Sequence, residues 1–179
     1  TFMDPAEANR LIAYFALSPA RYAPLTTGEV VPLPGGMLVD LAGFVTHIFL
    51  HADWGHLIFN SIWLLAFGTP VARRFGAVRF LLFFLVCGII GGLTQVVVDA
   101  GELVFIVGAS GAVSGLMGGA ARFVFLAGGP LGLITARDPS LPGAPRAQAT
   151  IVQALTDRRT LLFVSVWLGL NLLFGLLGL

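Results

Sequence analysis

Four uncharged, strongly apolar stretches govern what this chain can fold into: Trp54 to Ala72, Phe80 to Val98, Leu103 to Ala121 and Thr160 to Leu179. A hydrocarbon layer offers no water to backbone N–H and C=O groups, so a run of about 20 apolar residues crosses it as a helix that satisfies its own hydrogen bonds. The chain is 57% hydrophobic and 11% charged, with a mean hydropathy of +0.93, whereas soluble domains are about a quarter charged. The expected fold class is therefore all-α, a polytopic transmembrane helix bundle, in a multi-pass membrane protein whose surroundings are the lipid bilayer. The first stretch is expected to extend N-terminally as a helix or partial helix through Leu41 to Leu50, and the third past Arg122 to about Leu126.

Residues 1–40 read differently. Their longest apolar run, "LIAYFAL", is far too short to cross. In "DPAEANRLIAYFAL" Asp4 suits a cap, Pro5 the first helical position and Glu7 a box-like start, while Leu11, Ile12, Phe15 and Ala16 share one face. This is the pattern of a helix lying on the bilayer surface, followed by a Pro/Gly-rich loop to Gly36. The chain opens at Thr1 and stops at Leu179 inside an uncharged run, so it reads as part of something longer. No secretory leader is expected in residues 1–40, which carry Asp4, Glu7, Arg10, Arg21, Glu29 and five prolines.

Charge placement orients the bundle. Arg73, Arg74 and Arg79 lie between the first two stretches; Arg122, Arg137, Arg146, Arg158 and Arg159 lie at or between the ends of the third and fourth. The positive-inside rule puts both loops in the cytoplasm, and residues 1–40 and "DAGEL" (99–103) outside. The inner loop, Ala127 to Arg159, holds Pro130, Pro139, Pro142 and Pro145 and reads as irregular, with a short helix at "ATIVQALTD". A net charge of +1 without any lysine leaves no basic patch for nucleic acid. Cys87, a lone cysteine in an apolar run, reads as a small core residue.

The chemistry-bearing residues enter from the external side. "THIFLHADWGHLIFNSIW" carries His47, His51, His56 and Asn60, and His56 and Asn60, four apart, point to one helix face. Polar groups at such depth are costly unless paired or functional. Ser110 enters the third stretch at similar depth, flanked by Gly108, Ala109, Gly111 and Ala112, which leave its hydroxyl open. The first turn of a helix also has free N–H groups to hold an oxyanion. Against this stands a packing reading: Gly111, Gly115 and Gly119 repeat every four residues, the seam by which membrane helices pack, with Ser114 beside it. Zinc is disfavoured because "HIFLH" lacks the glutamate of an H-E-x-x-H helix, and His47 is left as structural or interfacial. No cofactor is expected.

"HADWGHLIFN", followed about fifty residues later by "GASGAVSGL", resembles the rhomboid intramembrane serine proteases of bacterial type, and the similarity covers residues 41 to 126. "YFALSPARY" also resembles the end of the external loop of bacterial members. The resemblance implies an intramembrane serine endopeptidase that cleaves transmembrane protein substrates near the external membrane surface, in the bacterial inner membrane. It implies Ser110 as nucleophile, His56 and Asn60 as oxyanion donors with the Ser110 N–H, and His51 as support. It further implies residues 1–40 as an external loop with an interfacial helix, and 41–179 as spans two to five of six, the first and sixth lying outside the chain. The family's base is a histidine on a later helix, yet residues 117–179 contain none, so it is expected beyond Leu179. A non-proteolytic relative that binds membrane helices is the alternative; a small transporter or channel is weaker still, since no inverted repeat is apparent.

Overall fold

The computed structural model describes residues 4–123 and 149–177. Outside the described residues lie the extension of the third stretch to Leu126, the proline-bearing part of the inner loop with Arg137 and Arg146, and Gly178 and Leu179. The regular structure among the described residues is helical, the one strand-like contact being an isolated antiparallel bridge between Leu17 and Ile106. The chain runs α1 (Pro5–Phe15), α2 (Met37–Thr46), α3 (Trp54–Trp63), α4 (Thr69–Phe75), α5 (Ala77–Val98), α6 (Ser110–Ala121), α7 (Ile151–Thr156) and α8 (Arg158–Leu177). Two continuous helical stretches, Trp54–Phe75 and Ala77–Val98, are long and apolar enough to cross a membrane.

Local chemistry explains the ends. The Asp4 carboxylate caps α1, accepting from the Ala6 N–H at 3.1 Å, with Pro5 at the first helical position. The expected extension through Leu41 to Leu50 is a separate element: α2 closes in a 3-10 turn at His47–Phe49, Leu50 is extended, and Asp53 starts α3 afresh. Between α3 and α4, residues Leu64–Gly68 wind as a π-helix. Pro70 follows, and its ring would meet the carbonyl one turn back in an unbroken α-helix; the widened turn removes that clash. Gly76, at φ +77°, turns α4 into α5, its N–H on the Ala72 carbonyl at 2.9 Å. The short helix read at "ATIVQALTD" is α7, held by a reciprocal Thr150–Gln153 capping box. Asp157 then caps α8, accepting from the Thr160 N–H at 2.9 Å.

The third stretch departs from expectation. Residues 102–105 are not helical, and α6 begins only at Ser110. Two features stop the helix from reaching Leu103. Ile106 is bonded to Leu17 rather than to its own neighbours in the chain, and Gly108 sits at φ +110°, outside the helical region.

The shortened α6 is the centre of the bundle. Ala112, Leu116 and Ala120, one turn apart, are fully buried. They belong to a core with Ile48, Phe67, Val71, Phe84, Val113 and Trp167. α8 joins it through Phe163, which stands edge-on to Phe67 at 5.5 Å between ring centroids. The neighbouring face of α6 lies against α5, antiparallel, in a ladder of steps of four: Gly111 on Gly91, Gly115 on Cys87, Gly119 on Phe83. A Cβ on Gly91 would lie 2.9 Å from the Gly111 Cα, and one on Gly115 would overlap the Cys87 side chain. Gly111, Gly115 and Gly119 thus form the helix-packing seam, and Cys87 is part of it.

Overpacking this seam has a calculable consequence. Gly115→Leu is expected to destabilise the folded bundle by about 1–3 kcal/mol, read as a lowered unfolding midpoint in detergent. Gly118→Ala, where a Cβ meets nothing within 4 Å, is expected to leave the midpoint unchanged or raise it slightly, since alanine is the better helix former.

Candidate active site

The site forms where the first turns of α3 and α6 meet. Asp53 Oδ1 accepts from the His56 N–H at 2.9 Å and so fixes the first turn of α3. His56 and Asn60 then lie on one face, a turn apart, and the Asn60 amide donates to the His56 carbonyl at 3.1 Å. Asn60 is 7% exposed; burial of a carboxamide inside an apolar bundle requires hydrogen-bond partners or a functional role.

Gly108 is the meeting point. A Cβ built there would lie 2.5 Å from His56 Nε2 and 3.5 Å from Asn60 Nδ2, so the imidazole and carboxamide close directly on the Gly108 backbone. Any side chain at this position would displace them. Two residues on, Ser110 is exposed and is the first residue of α6, where helical geometry leaves the N–H groups of the first turn without intrahelical partners. Ser114 turns back instead, its hydroxyl donating to the Ser110 carbonyl at 2.6 Å. The glycine seam and an open serine therefore coexist: Gly111, Gly115 and Gly119 face α5, while Ser110 stands at the helix start.

The other two histidines differ in their surroundings. The His51 ring packs edge-on against His56, centroids 5.1 Å apart, and its Nε2 is buried without a hydrogen-bond partner among the described residues. Burial first, and the adjacent imidazole second, push its pKa below the ordinary 6.5. His47 is almost fully buried. Its ring lies against Gly92 of α5, and Nδ1 is 2.8 Å from the Gly43 carbonyl, which only accepts and so fixes the proton on Nδ1.

The sequence leaves His47 as structural or interfacial, and the structure adds a backbone role, since the His47 carbonyl accepts from the Gly108 N–H at 2.9 Å. Leu17 holds the same turn from the other side, exchanging backbone bonds with Ile106 at 3.1 and 2.7 Å. Neither contact carries a local signal, because both join residues far apart in the chain.

The profile of the Rhomboid domain matches residues 39–178. The chain belongs to the rhomboid family. YdcA of Bacillus subtilis (strain 168) is 43% identical over 74 residues, covering 41% of this chain and 37% of that protein. The rhomboid protease GluP of the same organism is 40% identical over 74 residues, covering 41% of this chain and 14% of its own length. The rhomboid protease GlpG of Haemophilus influenzae is 33% identical over 75 residues, 42% of this chain and 38% of that one. The matches thus span well under half the length of these relatives. No solved structure matches the chain. Membership makes this a membrane protein of a protease family, and its two long apolar helices are consistent with that.

The depressed pKa of His51 predicts acid sensitivity. Below pH 6.5 the unfolded chain protonates this imidazole while the folded one does so only at lower pH. The unfolded state then binds more protons, so stability falls as pH drops through that window. Unfolding midpoints measured from about pH 7.5 to 5 should decline, and His51→Gln should flatten the decline; an unchanged slope in the variant contradicts this assignment.

Proposed function

We propose that this protein is an intramembrane serine endopeptidase that cleaves transmembrane protein substrates near the external face of a bacterial inner membrane. In this reading Ser110 is the nucleophile. His56, Asn60 and the Ser110 N–H hold the oxyanion, His51 supports them, and residues 1–40 form an external loop. The observation that carries it is the closure of His56 and Asn60 on Gly108, two residues before an exposed serine at a helix start.

The Ser110 hydroxyl oxygen attacks the scissile carbonyl as its proton passes to a general base, and the carbonyl oxygen becomes an anion. Donors arranged beforehand around that oxygen stabilise the charge without reorganising. Collapse expels the amine, which takes the proton from the base, and leaves an acyl-serine for water to hydrolyse. The base in this reading is a histidine other than His47, His51 and His56, the three that these residues hold. A substrate helix must first unwind locally, because its carbonyls are already bonded. Small or helix-breaking residues near the cleaved bond lower that cost.

A second reading, a non-proteolytic relative that binds membrane helices, draws on one observation: no histidine follows His56 in these residues. The full-length protein decides between them. A fluorophosphonate should label it and fail on Ser110→Ala; equal labelling of the variant sinks the protease reading. On a transmembrane substrate, Asn60→Ala should lower kcat by about 10²–10³-fold with KM little changed.

A further inference from the structure

Ala16–Ala20 take no part in the chemistry proposed above, yet all five residues are buried. Leu17 is fully enclosed, its side chain against Gly43 of α2 and Gly92 of α5 and its backbone paired with Ile106. Ile106 lies two residues before Gly108, so Leu17 fixes the entry to the turn that the His47 carbonyl fixes at its centre. Thr46 of α2 adds a tie to the same segment, its hydroxyl donating to the Phe15 carbonyl at 2.7 Å.

What holds Leu17 is the next turn of chain. The Arg21 side chain is 2% exposed and bonds three separate segments. Nη1 donates to the Asp40 carboxylate of α2 at 2.6 Å and to the Pro34 carbonyl at 3.0 Å, and Nη2 donates to the Ala13 carbonyl in α1. Tyr22 follows suit, its hydroxyl on the Asp40 backbone carbonyl at 2.6 Å. A guanidinium out of water is costly unless its donors are matched, and a fork of donors is suited to joining several acceptors at fixed angles. Here one side chain ties α1, the loop that ends at Gly36, and α2 into a single unit around Leu17.

We propose that Arg21 and Asp40 form a clamp that positions the 106–109 turn, making them positioning residues for chemistry at Ser110. The inference rests on the nucleophile reading of Ser110. Loss of the clamp frees Leu17, the bridge to Ile106 loosens, and Gly108 drifts relative to His56 and Asn60. Displacements of this size at a reacting group cost rate rather than binding.

The test uses the full-length protein in lipid, as wild type, Arg21→Met, Arg21→Lys and the milder Asp40→Asn, in case Arg21→Met does not fold. Hydrogen exchange at Leu17, Ile106 and Gly108 should quicken about tenfold in Arg21→Met while the interiors of α5 and α6 keep their protection. The fluorophosphonate labelling rate should fall about 10- to 100-fold with the final labelled fraction unchanged. Arg21→Lys, which keeps the charge but cannot span three acceptors, should fall between, and Asp40→Asn should shift both readouts the same way by less. Wild-type exchange at those amides overturns the clamp. So does exchange that quickens uniformly through α5 and α6, or a labelling rate that stays at wild type while the turn loosens. If wild type itself does not label, the nucleophile reading fails, and the exchange measurement alone decides whether Arg21 holds the turn.

Discussion

The approach of two helix backbones at Gly91 and Gly111 governs the rest of the structure. A Cβ on either glycine would stand within 2.9–3.2 Å of the other's Cα, so only glycine permits the contact. Inside a bilayer no hydrophobic force drives helices together, because lipid tails are as apolar as leucine; close dispersion contact between small residues holds them instead. From this point the α5–α6 ladder descends through Cys87 on Gly115 to Phe83 on Gly119. The seam lets a helix of only 12 residues sink into the middle of the bundle. Its first residue is then delivered beside the first turn of α3.

A helix that starts in the interior creates a problem for the chain that feeds it. Ala109 gives its carbonyl to the Val113 N–H of α6 at 2.9 Å, but residues ahead of it cannot bond within α6, and their N–H and C=O groups need other partners. They find them in the Leu17 backbone and the His47 carbonyl. Gly108 supplies the positive φ that turns the chain and the empty space that His56 and Asn60 fill. The N-terminal segment is therefore more than a surface appendage: its buried part, Ala16–Ala20, walls the turn before the serine.

Much of this was legible because it depends on local pattern. Apolar length located α5 and α8 to within three residues at the described ends, the four-residue glycine repeat marked the seam, and Asp4 and Pro5 marked the start of α1. The i, i+4 spacing put His56 and Asn60 on one face. The start of α6 was not legible, since "LVFIV" is as apolar in an extended chain as in a helix, and what keeps it extended is a bond to Leu17, nearly ninety positions away. Arg21 carried no local signal of its role for the same reason: its partners Ala13, Pro34 and Asp40 are set by tertiary structure. The π-helical turn at Leu64–Gly68 had a local cue in Pro70, which reads as a kink without saying how the chain absorbs it.

In the proposed chemistry His56 and Asn60 face the oxygen on which charge develops when Ser110 reacts. The most direct measurement is an experimental structure of the full-length protein with a phosphonate bonded to Ser110 Oγ. A phosphoryl oxygen is expected about 2.7–3.1 Å from both His56 Nε2 and Asn60 Nδ2. A phosphoryl oxygen turned away, with both side chains beyond hydrogen-bond reach, contradicts the proposal.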